Sequence, residues 1–207
     1  MTPLAAREHQ WGANWRRWFL NSSQLDSGEA GEQASCDRVT GKLNRLLFEE
    51  RLALALARKR RAAESIDAQV CMKLAVLLIS LDACSAIGDI GDAGDLLLIE
   101  VARRLGKATR GSEPVVRVDH GEFVLLMEDV TSAVDAERLA TRLLDALEAP
   151  FESDGRDLSV SAFIGIAVYP DHGAVDTLPA HAREAMRAAR LADGKRHAMF
   201  EARTLAS

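Results

Sequence analysis

Cysteine is scarce in this chain and poorly spaced for chemistry. Among 207 residues only Cys36, Cys71 and Cys84 are cysteines, far apart and without a C-x-x-C pair. Such spacing argues against a zinc or dithiol redox site and reads as free thiols in a reducing compartment. Long apolar runs are missing too. The longest, Leu74 to Leu81, is far short of the roughly 20 residues that span a bilayer. The polar, aromatic N-terminus lacks the apolar stretch of a signal peptide, so a cytoplasmic protein is expected. There is no basic excess. A net charge of −5 disfavours a broad nucleic-acid-binding face and leaves only a local one open. What remains is 48% hydrophobic and 28% charged, the balance of a packed globular domain with room for an appendage.

The pattern divides into residues 1–21, 22–36 and 37–207. Thr2 and Pro3 suit the start of a helix, and Leu4, Trp11, Trp15 and Trp18 then share one face. Residues 22–36 are small and polar and read as a linker. From Thr40-Gly41 a helix is expected over Lys42 to Ala63, ending in the basic run Arg58 to Arg61, a solvated helix end that complements the dipole. Lys73 to Leu81 reads as a strand buried on both faces. After the Gly/Asp-rich loop Ile87 to Gly94, a helix should bury Leu98, Val101, Ala102 and Leu105. Val115 to Val118 and Glu122 to Met127 are expected strands around an Asp119-His120-Gly121 turn. Ser132 to Glu148 is expected to be helical, Leu158 to Tyr169 a strand, Leu178 to Ala192 a helix, and His197 to Phe200 an edge strand. The order β-α-β-β-α-β predicts an α/β (α+β) domain of the split βαβ kind, with a mostly antiparallel central sheet flanked by helices.

Four segments carry a family resemblance. Asp37-Arg38-Val39-Thr40-Gly41-Lys42-Leu43-Asn44-Arg45 resembles the D-x-L-T-G-L-x-N-R opening of GGDEF domains, the diguanylate cyclases. Arg117 to Phe123 is similar to R-x-G-G-D/E-E-F. Ser161 to Ala167 is similar to the S-x-G-I-A strand, and Ala185 to Arg190 to the A-M-Y-x-A-K helix. Together they run from Asp37 to Arg190 in the right order. The resemblance implies a ferredoxin- or palm-like cyclase fold. It also implies a reaction in which two GTP molecules are joined with the help of divalent metals on carboxylates.

The same alignment implies losses. The metal-binding strand Asp corresponds to Ser80, the guanine-contacting Asn to Gly88 and the family Lys to Ser85. Asp95 remains at a guanine-contacting position. In the hairpin Asp119 and His120 replace two glycines whose bare backbone can approach a nucleotide, and Gly121 replaces an acidic residue. Of the vestigial motif Asp119, His120, Gly121, Glu122 and Phe123, only Glu122 keeps an acidic side chain of the original pair. Arg190 and Lys195 correspond loosely to triphosphate contacts. Arg110 and Glu113 fall where the family's R-x-x-D site binds cyclic di-GMP, with one extra methylene in Glu113.

The expectation is a cyclase-like domain without cyclase activity and without a bound metal or other cofactor, acting through a protein partner, a second copy or a guanine nucleotide. Two rivals stand beside it. One is a weak cyclase holding metal through Glu122 and Asp82. The other is an effector that binds cyclic di-GMP through Arg110 and Glu113. Asp119-His120-Gly121 could also form a His–carboxylate acid–base pair, although turn chemistry alone accounts for these residues. Asp89, Asp92 and Asp95 lack the alternate-residue spacing of a calcium loop. The tryptophan stripe at Trp11, Trp15 and Trp18 has three possible destinations: its own domain, a partner, or a membrane surface. No segment ahead of residue 37 is long enough for a sensory domain, so input is expected through a partner.

Overall fold

The computed structural model describes residues 37, 39–41, 48, 50–55, 57–58, 73–82, 92–109, 113–119, 121–153, 156–174, 177–192, 194 and 196–201. The tryptophan stripe, the linker, all three cysteines, Arg110, His120 and Lys195 lie outside them.

Alternation along one strand organises the molecule. Strand β1 (Lys73–Leu81) is buried along almost its whole length, and its side chains point alternately to the two faces of the sheet. Leu74, Val76 and Leu78 meet Phe48, Leu52 and Ala55 of the helical stretch α1 (residues 50–55 and 57–58, with 48) and Leu178, Ala182 and Met186 of a later helix. Ala75, Leu77, Ile79 and Leu81 face the opposite core with Leu98, Val101, Ala102 and Leu105 of α2 (Asp92–Ala108) and Leu139, Ala140 and Leu143 of α3 (Ala133–Glu148). Helices therefore cover both faces of the sheet.

The remaining strands are β2 (Val115–Asp119), β3 (Glu122–Val130), β4 (Phe151–Ser153), β5 (Arg156–Leu158), β6 (Ala162–Tyr169) and β7 (His197–Met199), with α4 (Leu178–Leu191) between the last two. The main sheet runs β2-β3-β1-β6-β7. All its pairings are antiparallel except β6 with β7. This is the expected mixed fold with a mostly antiparallel centre.

Several boundaries differ from expectation. Helix α2 begins at Asp92, inside the expected loop, and β3 runs on to Val130. The strand expected over Leu158 to Tyr169 is divided. Its first residue belongs to a separate β4–β5 hairpin, and the central strand begins at Ala162. The hairpin is tied down from a distance. The Arg104 guanidinium donates to the carbonyls of Ala149 and Pro150 and stacks 3.9 Å from the Phe151 ring centroid. Asp119 belongs to β2, in register with Glu122, and is not part of the turn.

The opening motif has a structural explanation. The Asp37 carboxylate accepts hydrogen bonds from the Thr40 backbone N–H and hydroxyl, each at 2.8 Å, and from Arg117 at 3.2 Å. Gly41 follows at φ 62°, a left-handed position that glycine tolerates. Partial burial opposes ionisation of Asp37, but the Thr40 and Arg117 contacts outweigh it and hold the carboxyl below its ordinary range. The first motif thus grips the arginine of the second.

Gly165 lets α4 press onto β6. A Cβ there would meet the Ala182 carbonyl oxygen at 1.8 Å and the Met186 nitrogen at 2.3 Å. Both are backbone atoms, so relief requires moving the helix. Gly165→Ala is expected to destabilise the domain by about 3 kcal/mol, a fall of roughly 6–12 °C in melting temperature. Calorimetry of the two proteins checks this.

Candidate functional site

The strand ends that the family uses for chemistry converge on one face of the sheet, under α4. Pairing on both sides of β1 sets Ser80 opposite Glu122 of β3 and opposite Phe163 of β6. Directly opposed residues of a sheet share a face. Ser80 is buried, with 7% of its surface exposed. Backbone bonds fix the rim: Leu81 N–H donates to the Gly121 carbonyl at 2.9 Å, and Asp82 N–H to the Ser161 carbonyl at 2.7 Å.

Helix α4 supplies the cations. Arg183, Arg187 and Arg190 are spaced i, i+4, i+7 and project along one side of it. The Arg183 guanidinium pairs with the Glu122 carboxylate, and both side chains are mostly buried. Arg190 donates to the Ser80 hydroxyl at 3.2 Å and lies 3.5 Å from the Asp82 carboxylate. It also sits 5.3 Å from the centroid of the Phe163 ring, within cation–π range. Arg187 is exposed. Burial pushes the Glu122 carboxyl above its ordinary range, and Asp119 adds to that. Arg183, Arg187 and Arg190 act in the opposite direction.

Several expected site residues fall into place around this cluster, and others do not. Glu122 and Arg190 are brought together within it. Asp119 is close enough to act on Glu122. Gly121 contributes its backbone to the rim. Phe123 is wholly buried opposite Ile79 and is a core residue. Asp95, expected at a guanine-contacting position, lies within α2 and is exposed. It makes no hydrogen bond or ion pair among the described residues. Glu113 precedes β2 and is half-buried, while its expected partner position Arg110 lies outside the described residues. Asp82, the second carboxylate of the weak-cyclase alternative, faces Arg190. Among the described residues no three His, Cys, Asp or Glu side chains converge in a way that could hold a metal ion. No helix among them is long and apolar enough to cross a membrane.

Arg183 and Arg187 were not expected in the site. The signal was present in the sequence. With Ala182, Ala185, Met186 and Ala189 assigned to the buried stripe, helical spacing places positions 183, 187 and 190 together beside it. Arg187 also stands where the resemblance puts a tyrosine.

Residues 34–196 match the diguanylate cyclase GGDEF domain family. The chain belongs to the GGDEF family. It is 38% identical over 152 residues to the diguanylate cyclase TpbB of Pseudomonas aeruginosa, a match covering 72% of this chain and 33% of that protein. The chain thus spans about a third of the length of the curated relatives it first matches. The solved GGDEF domain of TpbB superposes with a TM-score of 0.70 at 35% identity, covering 80% of this chain and 94% of that one. A sensory box/GGDEF protein from Caulobacter crescentus gives 0.66 at 34% identity, over 76% and 99% of the two chains. These GGDEF likenesses account for the split βαβ core and for the four motifs.

Arg183 is the second-largest influence on Glu122 and the largest that favours its ionised form. In Arg183→Met the carboxyl titration is expected to move further upward, read by 13C NMR of the Glu122 side chain. An unchanged titration would mean that the pair does not form in solution.

Proposed function

We propose that this GGDEF domain acts in cyclic di-GMP signalling without making cyclic di-GMP, and that it works by binding a protein partner or a guanine nucleotide. One observation carries this reading: guanidinium groups engage the positions from which the family is expected to hold metal. Ser80 offers a neutral hydroxyl already bonded to Arg190, and Glu122, the surviving hairpin carboxylate, is paired with Arg183. Magnesium needs several hard oxygen donors in near-octahedral geometry. Two metals clamping an in-line displacement need more still. One mostly buried carboxylate at the family's metal positions, beside three arginines, does not fit that requirement, because like charges at close range repel strongly where water is scarce. The substitutions also agree with one another. The strand carboxylate and one hairpin carboxylate are gone, and cations face the space they would have held. The names of the relatives support a place in cyclic di-GMP signalling.

Incubation with GTP and Mg2+ or Mn2+ is expected to yield no cyclic di-GMP above a blank. Product that disappears in Glu122→Gln would overturn the reading. Ser80→Asp combined with Gly121→Glu is expected to remain inactive. The arginines stay in place, and catalysis depends on placement to within about an ångström. Robust turnover by that double variant would show that the arginine face is no obstacle.

A further inference from the structure

The end of strand β6 is closed by an imidazole. The even-numbered residues of β6 turn their backbone groups towards β7: Ile164 N–H donates to the Arg196 carbonyl and the Ile166 carbonyl accepts from Phe200 N–H, both at 2.8 Å. A parallel ladder continued by one step would bring Val168 N–H to the Phe200 carbonyl. Val168 N–H donates instead to Nδ1 of His172, at 3.0 Å. Val168 is buried, and a buried backbone donor left without a partner is costly. His172 also returns its own N–H to the Val168 carbonyl at 2.7 Å, which closes the turn after the strand.

Two further elements meet at the same residue. Phe200, just past β7, packs edge-on with the His172 ring, their centroids 5.9 Å apart, and stacks on the ring of His181 from α4 at 4.0 Å. His181 Nδ1 donates to the His172 carbonyl at 2.7 Å, since a carbonyl can only accept. The charged and titratable groups acting on the half-buried His172 are Asp171 beside it, His181 from α4 and Lys73 from β1, while the β7 side presents the uncharged Phe200 ring. Asp171 is the obvious counter-ion for a protonated ring, but its carboxylate is engaged by Lys73. Burial holds His172 below the ordinary histidine range. Asp171 opposes this, and His181 and Lys73 add to it.

We propose that His172 is a proton-operated latch: neutral, it fastens the end of β7 and the start of α4 to β6, and on taking a proton from solvent at Nδ1 it releases them. Nδ1 can accept from Val168 only while it carries no proton of its own. Protonation sets two N–H groups against each other and places a cation near Lys73, so the ring swings out. Val168 then loses its acceptor and Phe200 its edge contact. The bond from His181 to the His172 carbonyl uses an N–H and needs no unprotonated nitrogen, so His172 is the residue that decides. The folded state favours the neutral ring. The latch therefore stabilises the domain fully above the ordinary histidine value of about 6.5. That contribution is lost as pH falls through the lower folded value. The latch lies at the opposite end of β6 from Phe163 and the arginine face, and it stands apart from the reading of that site.

The test is NMR of the full chain. Long-range 1H–15N correlation of the imidazoles should show His172 as the Nε2–H tautomer at neutral pH, with a protonation midpoint below that of an unstructured histidine. Protection of the Val168 and Phe200 amides against hydrogen exchange should fall about tenfold or more between about pH 7.5 and about pH 5. In His172→Asn the side-chain oxygen can still accept from Val168 but does not titrate in this range. That variant should keep its protection on acidification, and because other groups titrate in both proteins, the difference between the two is the readout. A His172 present as the Nδ1–H tautomer would overturn the proposal. So would a midpoint at or above that of an unstructured histidine, or an equal loss of protection in wild type and His172→Asn. Should the variant fail to fold, the tautomer and the midpoint, both read on the wild type, decide the matter alone.

Discussion

The site depends on the pairing of β1 with antiparallel neighbours on both sides. Because β3 and β6 both hold it in register, Ser80 is fixed between Glu122 and Phe163. A slip of one residue on either side would turn every side chain to the other face and empty both cores. The close approach at Gly165 then sets the height of α4 above that row. Two backbone constraints, one lateral and one vertical, thereby decide which helix residues meet the strand ends. Arg183 reaches Glu122 and Arg190 reaches Ser80 as a consequence.

The electrostatic character of the site follows from that geometry. In the family pattern the strand ends gather carboxylates, which repel each other and need a cation between them. Here one of those positions carries a hydroxyl and another a glycine, while the helix brings guanidinium groups. A fixed guanidinium satisfies a carboxylate differently from a metal. It binds through directional N–H donors and leaves no open coordination position for a substrate oxygen. Residues that hold the fold together can thus stay in place while those at the charged end change. Asp37, Arg117 and Gly165 do structural work and remain.

Much of the fold was legible because periodicity and burial agree. The double-sided apolar run of β1 and the buried stripes of α3 and α4 each carry a strong local signal. The β4–β5 hairpin did not, because three-residue strands are too short to show alternation and Arg104 fastens it from 46 residues away. The site was half legible. The exchange of a motif Asp for Ser80 could be read by alignment with the family pattern. The Arg183–Glu122 pair joins residues 61 apart, and neither its spacing nor its composition announces it. Helix α2 begins earlier than the glycine-rich sequence suggested, at Asp92, which sets Asp95 in its first turn. The tryptophan stripe, Arg110 and Lys195 lie outside the described residues, so the structure adds nothing to their reading.

The central claim is that side-chain cations stand where the family would hold metal. Titration of the full chain with Mn2+, followed by electron paramagnetic resonance of the free ion, addresses it without relying on turnover. The account predicts that the free-ion signal rises in proportion to added Mn2+, with no stoichiometric loss to the protein. A stoichiometric loss of signal that is abolished in Glu122→Gln would contradict it.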